Sequence, residues 1–373
     1  MMKKRLESLD ILRGADMFLL LFLGPVLRAV AKVFELSGLK YQLNHVKWEG
    51  FATWDIIMPL FLFLSGITIP FSLAKYKSGL HPDKQFYLKL LKRFCMLFFL
   101  GWIVQGNVLL FDWKMFHPFA NTLQAIAVGY VVAALLFVHL KLKWQIAVGL
   151  ALFAAYWLVF ACTGMNLDPQ ENIAMVIDKT ILGSHRDGVA WAVDSENWTA
   201  EGPWRFRKSY EYTWILSSLN FAVTVLLGCF AGQVLRSEKR QPSKRAMILA
   251  IIGVVLVAAG LVLDPVFPII KKIWNSTFTL YSGGLCFLLT SITYYIVDVK
   301  GWRRGLSWLK IYGMNAILAY CVGEIINFTS VSASVLVGFE GTTCYPILIA
   351  FSNASILFAI LWIMYKNKIY LKV

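Results

Sequence analysis

Ten apolar runs recur along the chain, at about 12–34, 54–74, 93–111, 119–140, 144–163, 211–235, 246–263, 274–297, 307–327 and 345–365. Each comes near the roughly 20 residues of helix that a bilayer core requires. With 58% hydrophobic residues against 15% charged over 373 residues, the chain is too apolar to be one soluble domain. The expected fold is all-α: a polytopic membrane helical bundle of about ten transmembrane helices, a single domain over 1–373. Only 164–210 lacks a spanning run; it collects Asp, Asn, Gly and Trp and reads as an extracytoplasmic loop or cap.

The net charge of +15 fits basic loops better than a nucleic-acid surface, because the charges fall between spans and not along one face. If the N-terminus is cytoplasmic, the segments on its side carry 24 of the 36 Lys and Arg, which favours both termini inside. The opening Met1-Met2-Lys3-Lys4-Arg5 has no cleavage-site pattern behind it and reads as leading into a retained first span. The six cysteines show no CxxC spacing and no clustering with histidine, so neither a disulfide framework nor a metal site is expected. GxSxG, P-loop, GxGxxG and HExxH patterns are absent, which removes the common soluble-enzyme chemistries.

The chemistry concentrates in Asn44–Pro59, just ahead of and entering the second apolar run. His45 titrates near neutrality and can act as base, acid or nucleophile. Asp55 opens the following helix, where it can cap the N-terminus or orient the imidazole. Trp48 and Trp54 suit an interfacial belt or the dry wall of a substrate pocket. In the first span Arg13 lies three residues from both Asp10 and Asp16, a spacing that lets one guanidinium neutralise two carboxylates; the cluster is either structural or functional. Gln124 enters the fourth span, as an amide that can join helices. Lys271 and Lys272, ahead of Trp274, form a basic loop suited to an acidic ligand or to anchoring at the interface. Asn315 and Glu324 in the ninth run supply an amide and a carboxylate, and Glu324 has no obvious partner within its own helix.

These residues fall into recognisable blocks. Ser8-Leu9-Asp10-Ile11-Leu12-Arg13-Gly14 resembles the SLDxLRG opening of a large group of membrane acyltransferases. His45-Val46-Lys47-Trp48-Glu49-Gly50 followed by Asp55 to Gly66 resembles the HxxWxG and DxxxPxFxFxxG block of the heparan-α-glucosaminide N-acetyltransferase family. Thr122-Leu123-Gln124, Lys272 to Thr277, Val297 to Gly301 and Tyr312 to Leu318 are similar to later blocks in the same order. The resemblance implies an enzyme that takes acetyl-CoA at the cytoplasmic side and acetylates an amino sugar or glycan on the far side. It implies His45 as the catalytic residue, a helical bundle that is often dimeric, and no metal. It places Asp10, Arg13 and Asp55 in support and Trp48, Trp54, Gln124, Lys272, Trp274, Asn315 and Glu324 around the substrates. Compact relatives of this kind resemble bacterial inner-membrane proteins. This chain departs from the family at Phe22-Leu23-Gly24-Pro25, where relatives carry an Asn, and at Leu123-Gln124-Ala125, where many carry LQR.

Two further readings remain: an amino-sugar (N-acetylglucosamine) transporter that acylates nothing, and a degenerate acyltransferase that only binds a partner. The enzymatic reading requires a passage from His45 to the opposite membrane face.

Overall fold

The computed structural model describes residues 6–77, 79, 81–191, 198–201, 203–207 and 210–371, so the basic opening residues 1–5 lie outside the described residues. Among these, eight helices are long and apolar enough to cross a membrane. They are α1 (Glu7–Val33), α2 (Thr53–Ser72), α4 (Thr122–His139), α5 (Leu142–Cys162), α7 (Ser217–Arg236), α8 (Pro242–Leu263), α9 (Ser276–Val299) and α12 (Tyr345–Lys366). A further pair, α10 (Ala316–Ile325) and α11 (Thr329–Val335), is apolar enough when taken together and is bent by 73°, as a broken span or a re-entrant loop would be. The remaining candidate, α3 (Lys84–Val104), is 21 residues long and starts well before the expected 93. Its first half carries Lys84, Lys89, Lys92 and Arg93, too much charge for a helix judged on apolarity alone.

The described residues of the segment 164–210 form a cap. It contains α6 (Ile173–Leu182) and three short antiparallel strands, β1 (Val189–Ala190), β2 (Trp198–Ala200) and β3 (Arg205–Arg207), with β3 in the middle. Asp178 holds the cap to the bundle by accepting hydrogen bonds from the backbone N–H groups of Trp214 (2.7 Å) and Ile215 (3.0 Å). Burial pushes its carboxyl up to about 6 against the pull of those two donors.

Lipid offers no hydrophobic drive between helices, so the bundle relies on close backbone approach at small residues. A Cβ on Gly66 of α2 would lie 1.9 Å from the Val225 carbonyl oxygen of α7, and one on Gly228 would lie 2.0 Å from that of Phe63. The same contact recurs between α1 and residues 310–314, where a Cβ on Gly313 would meet the Asp10 carbonyl at 2.0 Å. Polar caps set where the helices begin. Asn121 accepts from Leu123 N–H at α4, and Asn275 accepts from Phe278 N–H at α9.

The α1 helix widens into a π turn over Leu19–Leu23, directly before Pro25, which has no N–H to donate. At that level Gly24 leaves room for the Trp54 ring, which a Cβ would meet at 2.3 Å. Gly66→Val is expected to cost more than the ~1–3 kcal/mol of ordinary overpacking, because the clash is with backbone. Gly38→Val, with open space around Gly38, is expected to be near neutral; thermal unfolding of the two variants in detergent checks the contrast.

Candidate active site at the His45 end of the bundle

Two loops meet where α2 and α9 begin. The first, 43–52, is closed by Gln42, whose side-chain oxygen accepts from the backbone N–H (2.9 Å) and hydroxyl (2.7 Å) of Thr53. The second, 264–275, is tied at several points. Asp264 accepts from Ile269 N–H (2.7 Å), and Tyr156 and Ser217 both donate their hydroxyls to the Ile273 carbonyl (2.7 and 2.8 Å). Asn220 donates to the Trp274 carbonyl (2.9 Å) and Asn275 to that of Pro268 (2.6 Å). The loops are joined to each other by the Gly50 N–H donating to the Ile269 carbonyl at 2.8 Å, with Glu49 and Ile270 bridged beside it. Gly50 takes φ +107°, which an L side chain would resist.

This frame brings three side chains together. His45 Nδ1 lies 2.7 Å from Asp55 Oδ1, and Lys271 Nζ lies 3.2 Å from the same oxygen. Lys271 Nζ is also 2.8 Å from His45 Nδ1 and 3.3 Å from Nε2. The Asp55 carboxylate is 1% exposed and Lys271 9%, while the imidazole remains 40% exposed. The second carboxylate oxygen of Asp55 accepts from the backbone N–H groups of Ala52 (3.0 Å) and Val46 (3.4 Å), fixing its plane. Nδ1 has one role at a time. Since Lys271 is also a donor and the carboxylate only accepts, the consistent arrangement has Nδ1–H donating to Asp55, which leaves Nε2 with its lone pair.

Burial lowers the His45 imidazole below its usual range; the Asp55 hydrogen bond opposes this and the Lys271 charge reinforces it. Lys271 is brought down to about 8, mainly by burial and partly by Lys272, against the pull of Asp55. At neutral pH the site therefore presents a neutral imidazole beside an ammonium that loses its proton easily.

His45 separates two spaces. On one side is a partly open cavity of about 360 Å³, lined by His45, Lys271, Lys272 and Trp274 and by Met17, Phe61 and Tyr320 among others. On the other is an open groove formed by Ser37, Tyr41, Asn44, Trp48 and Glu49. The cap supplies Asp187 and Tyr210 to the cavity wall, joined by Tyr212 just after it, and Tyr210 donates its hydroxyl to Asp187 at 2.7 Å. Burial raises the Asp187 carboxyl above its ordinary value, with that hydroxyl and His117 pulling it back.

The residues expected from sequence divide accordingly. His45, Asp55, Trp54, Lys272, Trp274 and Glu324 gather at or around the cavity, though Asp55 stands behind the imidazole and not in the wall. Arg28 stacks on Trp54 at 4.3 Å, and Lys272 pairs with Glu211. Trp48 faces the outer groove and donates its indole N–H to the Leu167 carbonyl at 3.0 Å, joining this loop to the cap. Gln124 is a correction: its amide oxygen accepts from Ala120 N–H (2.7 Å) and its NH2 donates to Pro118 (2.9 Å), so it seals the start of α4 and leaves the wall to Asn121 and Thr122. Asn315 is another: it donates to the Ile369 carbonyl (2.9 Å) and accepts from Leu371 N–H (3.1 Å), anchoring the C-terminal tail. Asp10 and Arg13, expected in support of His45, are not among the residues that line its cavity. They lie on α1 below the cavity floor at Met17, and Arg13 is 15 residues from Arg28 at the His45 end, about 22 Å at 1.5 Å per residue. Lys271 is the residue that the sequence reading left out of the site; its neighbour Lys272 was preferred, and nothing in a KK pair says which one turns inward.

The passage to the opposite face is met halfway. Phe61, the deepest α2 residue in the wall, is eight residues from Thr53, about 12 Å into a helix of 20 residues. Beyond it Leu62, Phe63 and Leu64 are fully packed.

Residues 5–181 match the family model described as heparan-alpha-glucosaminide N-acetyltransferase, catalytic. The chain is 24% identical over 381 residues to the mouse protein named heparan-alpha-glucosaminide N-acetyltransferase, covering 87% of this chain and 54% of that one. It is 24% identical over 374 residues to the human protein of the same name, covering 87% and 53%. The chain thus spans about half the length of these curated relatives. The matched region contains His45 and Asp55, and the resemblance read from the two opening motifs is borne out: over these residues the chain is similar to the heparan-α-glucosaminide N-acetyltransferases.

Proposed function

We propose that this protein is a transmembrane acetyltransferase that moves the acetyl group of acetyl-CoA to the amine of an amino sugar. Its termini are cytoplasmic and His45 lies at the extracytoplasmic end. The observation that carries the reading is the position of His45, a neutral imidazole braced by Asp55 and standing between a partly open cavity and an outer groove, so that donor and acceptor can approach it from two sides. The related proteins named as N-acetyltransferases support the reaction class.

The chemistry follows from the tautomer. With Nδ1–H committed to Asp55, Nε2 takes a proton from the sugar amine as its nitrogen attacks the thioester carbonyl. The C–N bond forms, the C–S bond breaks, and the CoA sulfur leaves with the proton returned by the imidazolium, giving an N-acetyl sugar and the free thiol. The same Nε2 can instead attack the thioester and carry the acetyl group to the amine in a second step. In either route Asp55 stabilises the imidazolium, and the Lys271 ammonium stands close enough to meet the negative charge that develops on the carbonyl oxygen. Donor entry from the cytoplasm requires the packed layer at Leu62 to Leu64 to open, a motion of the bundle that loading with acetyl-CoA would induce.

That half-depth cavity also suits a second reading, an amino-sugar carrier open to one side. Uptake of labelled N-acetylglucosamine into proteoliposomes without acetyl-CoA would favour it over transfer.

His45→Ala is expected to lower acetyl transfer from acetyl-CoA to glucosamine by ~10²–10⁴-fold with thermal stability preserved; normal turnover in that variant would reject the enzymatic reading. The rate should rise with pH through a value below 6.5 as His45 loses its proton, and fall near 8 as Lys271 loses its own. A pH profile of kcat/KM measures both limbs, and Lys271→Met should remove the alkaline one. Asp55→Asn should lower the imidazole's titration point further and Lys271→Met should raise it, since the first deletes an attraction and the second a repulsion. NMR of isotope-labelled histidine reads both shifts, and unchanged titration would contradict the arrangement.

A further inference from the structure

The break between α10 and α11 leaves an opening in the side of the bundle. A groove of about 550 Å³ runs between α1, the bent pair and the start of α12, lined by Pro25, Arg28, Glu324, Phe328, Ala350 and Asn353 among others. It shares Leu20 and Glu324 with the wall of the His45 cavity, so the two spaces adjoin at those side chains. The surface around it is strongly apolar: Leu23, Ile325, Ile326 and Phe351 are 36–52% exposed, as suits side chains facing lipid. Charge lies only at its inner end, where Arg28 and Glu324 interact and Arg28 stacks on Trp54. Ionisable groups inside a span are costly unless they line a pathway or meet a ligand.

We infer that this groove admits the acceptor, and that the acceptor is a membrane-resident amphiphile, an amino sugar joined through a phosphate to a lipid tail. The inference rests on the acetyltransferase reading and narrows its substrate. The tail would lie in the apolar groove and the head group would pass Leu20 and Glu324 towards His45. The charges along that route match such a head group: Arg28 and then Lys271 and Lys272 for the phosphate, Glu324 and Asp187 for the sugar ammonium. A free sugar would need none of the apolar channel. A bilayer lipid without the amine would place no ammonium beside Glu324 and Asp187, whose cationic neighbours belong to the protein itself.

The test uses the full chain in nanodiscs and, as probe, dodecyl glucosaminyl phosphate with a photoactivatable diazirine in its tail. In the wild type the label is expected on residues 323–328 and 346–354, suppressed by the unlabelled amphiphile and not by the same concentration of glucosamine. Labelling confined to other surfaces, or equal suppression by glucosamine, would overturn the inference without any variant. Ala350→Phe, which narrows the groove, is expected to cut labelling and to lower the ratio of kcat/KM for the tailed acceptor over free glucosamine by at least tenfold; an unchanged ratio would also overturn it. Groove labelling as expected, with no acetyl transfer to either acceptor, would uphold the lateral site while rejecting the acetyltransferase reading.

Discussion

The Asp55 carboxylate is the point on which the site turns. It is almost wholly inaccessible, yet it meets two backbone N–H groups, one imidazole and one ammonium, so each of its oxygens has more than one donor. A buried carboxylate is tolerable only with such compensation, and the need for compensation is what draws together segments 226 residues apart in sequence. Removing the Lys271 ammonium would leave the Asp55 charge without its cation in a dry setting. The catalytic geometry and the local fold therefore share one carboxylate, which the backbone donors and Lys271 continue to hold when the imidazole is removed.

Most of the architecture was legible because lipid imposes a simple rule, that long apolar helices cross and charged segments stay out. Where the rule is simple, the expected and observed spans agree to within a few residues, as for 345–365 against Tyr345–Lys366. It fails at the ninth run. Apolarity was continuous through 307–327, but Gly313 lets that stretch press against the Asp10 backbone, and the chain turns sharply after Ile325. Hydropathy records the solvent a residue prefers; it does not record the backbone contacts that decide where a helix bends.

The site shows the same division. His45 and Asp55 are ten residues apart and sit at the edge of an apolar run, so their association could be read from spacing and motif. Lys271 could not, because its inward orientation depends on hydrogen bonds from Tyr156, Ser217 and Asn220, which belong to two other helices. Gln124 and Asn315 misled for a related reason. A buried amide looks alike in sequence whether it meets a ligand or holds backbone, and here Gln124 closes a helix start while Asn315 holds the C-terminal tail.

The cap has a consequence of its own. Asp187, Tyr210 and Tyr212 form the roof of the chamber, while the imidazole and its two partners are set on loops fastened to the membrane helices. Roof and floor meet at a few seams, such as Asp178 with the 214–215 backbone and Trp48 with Leu167. A lineage could thus rewrite the roof to welcome a differently shaped guest and leave the machinery beneath it untouched, which makes the cap the natural place for related proteins to diverge in what they modify.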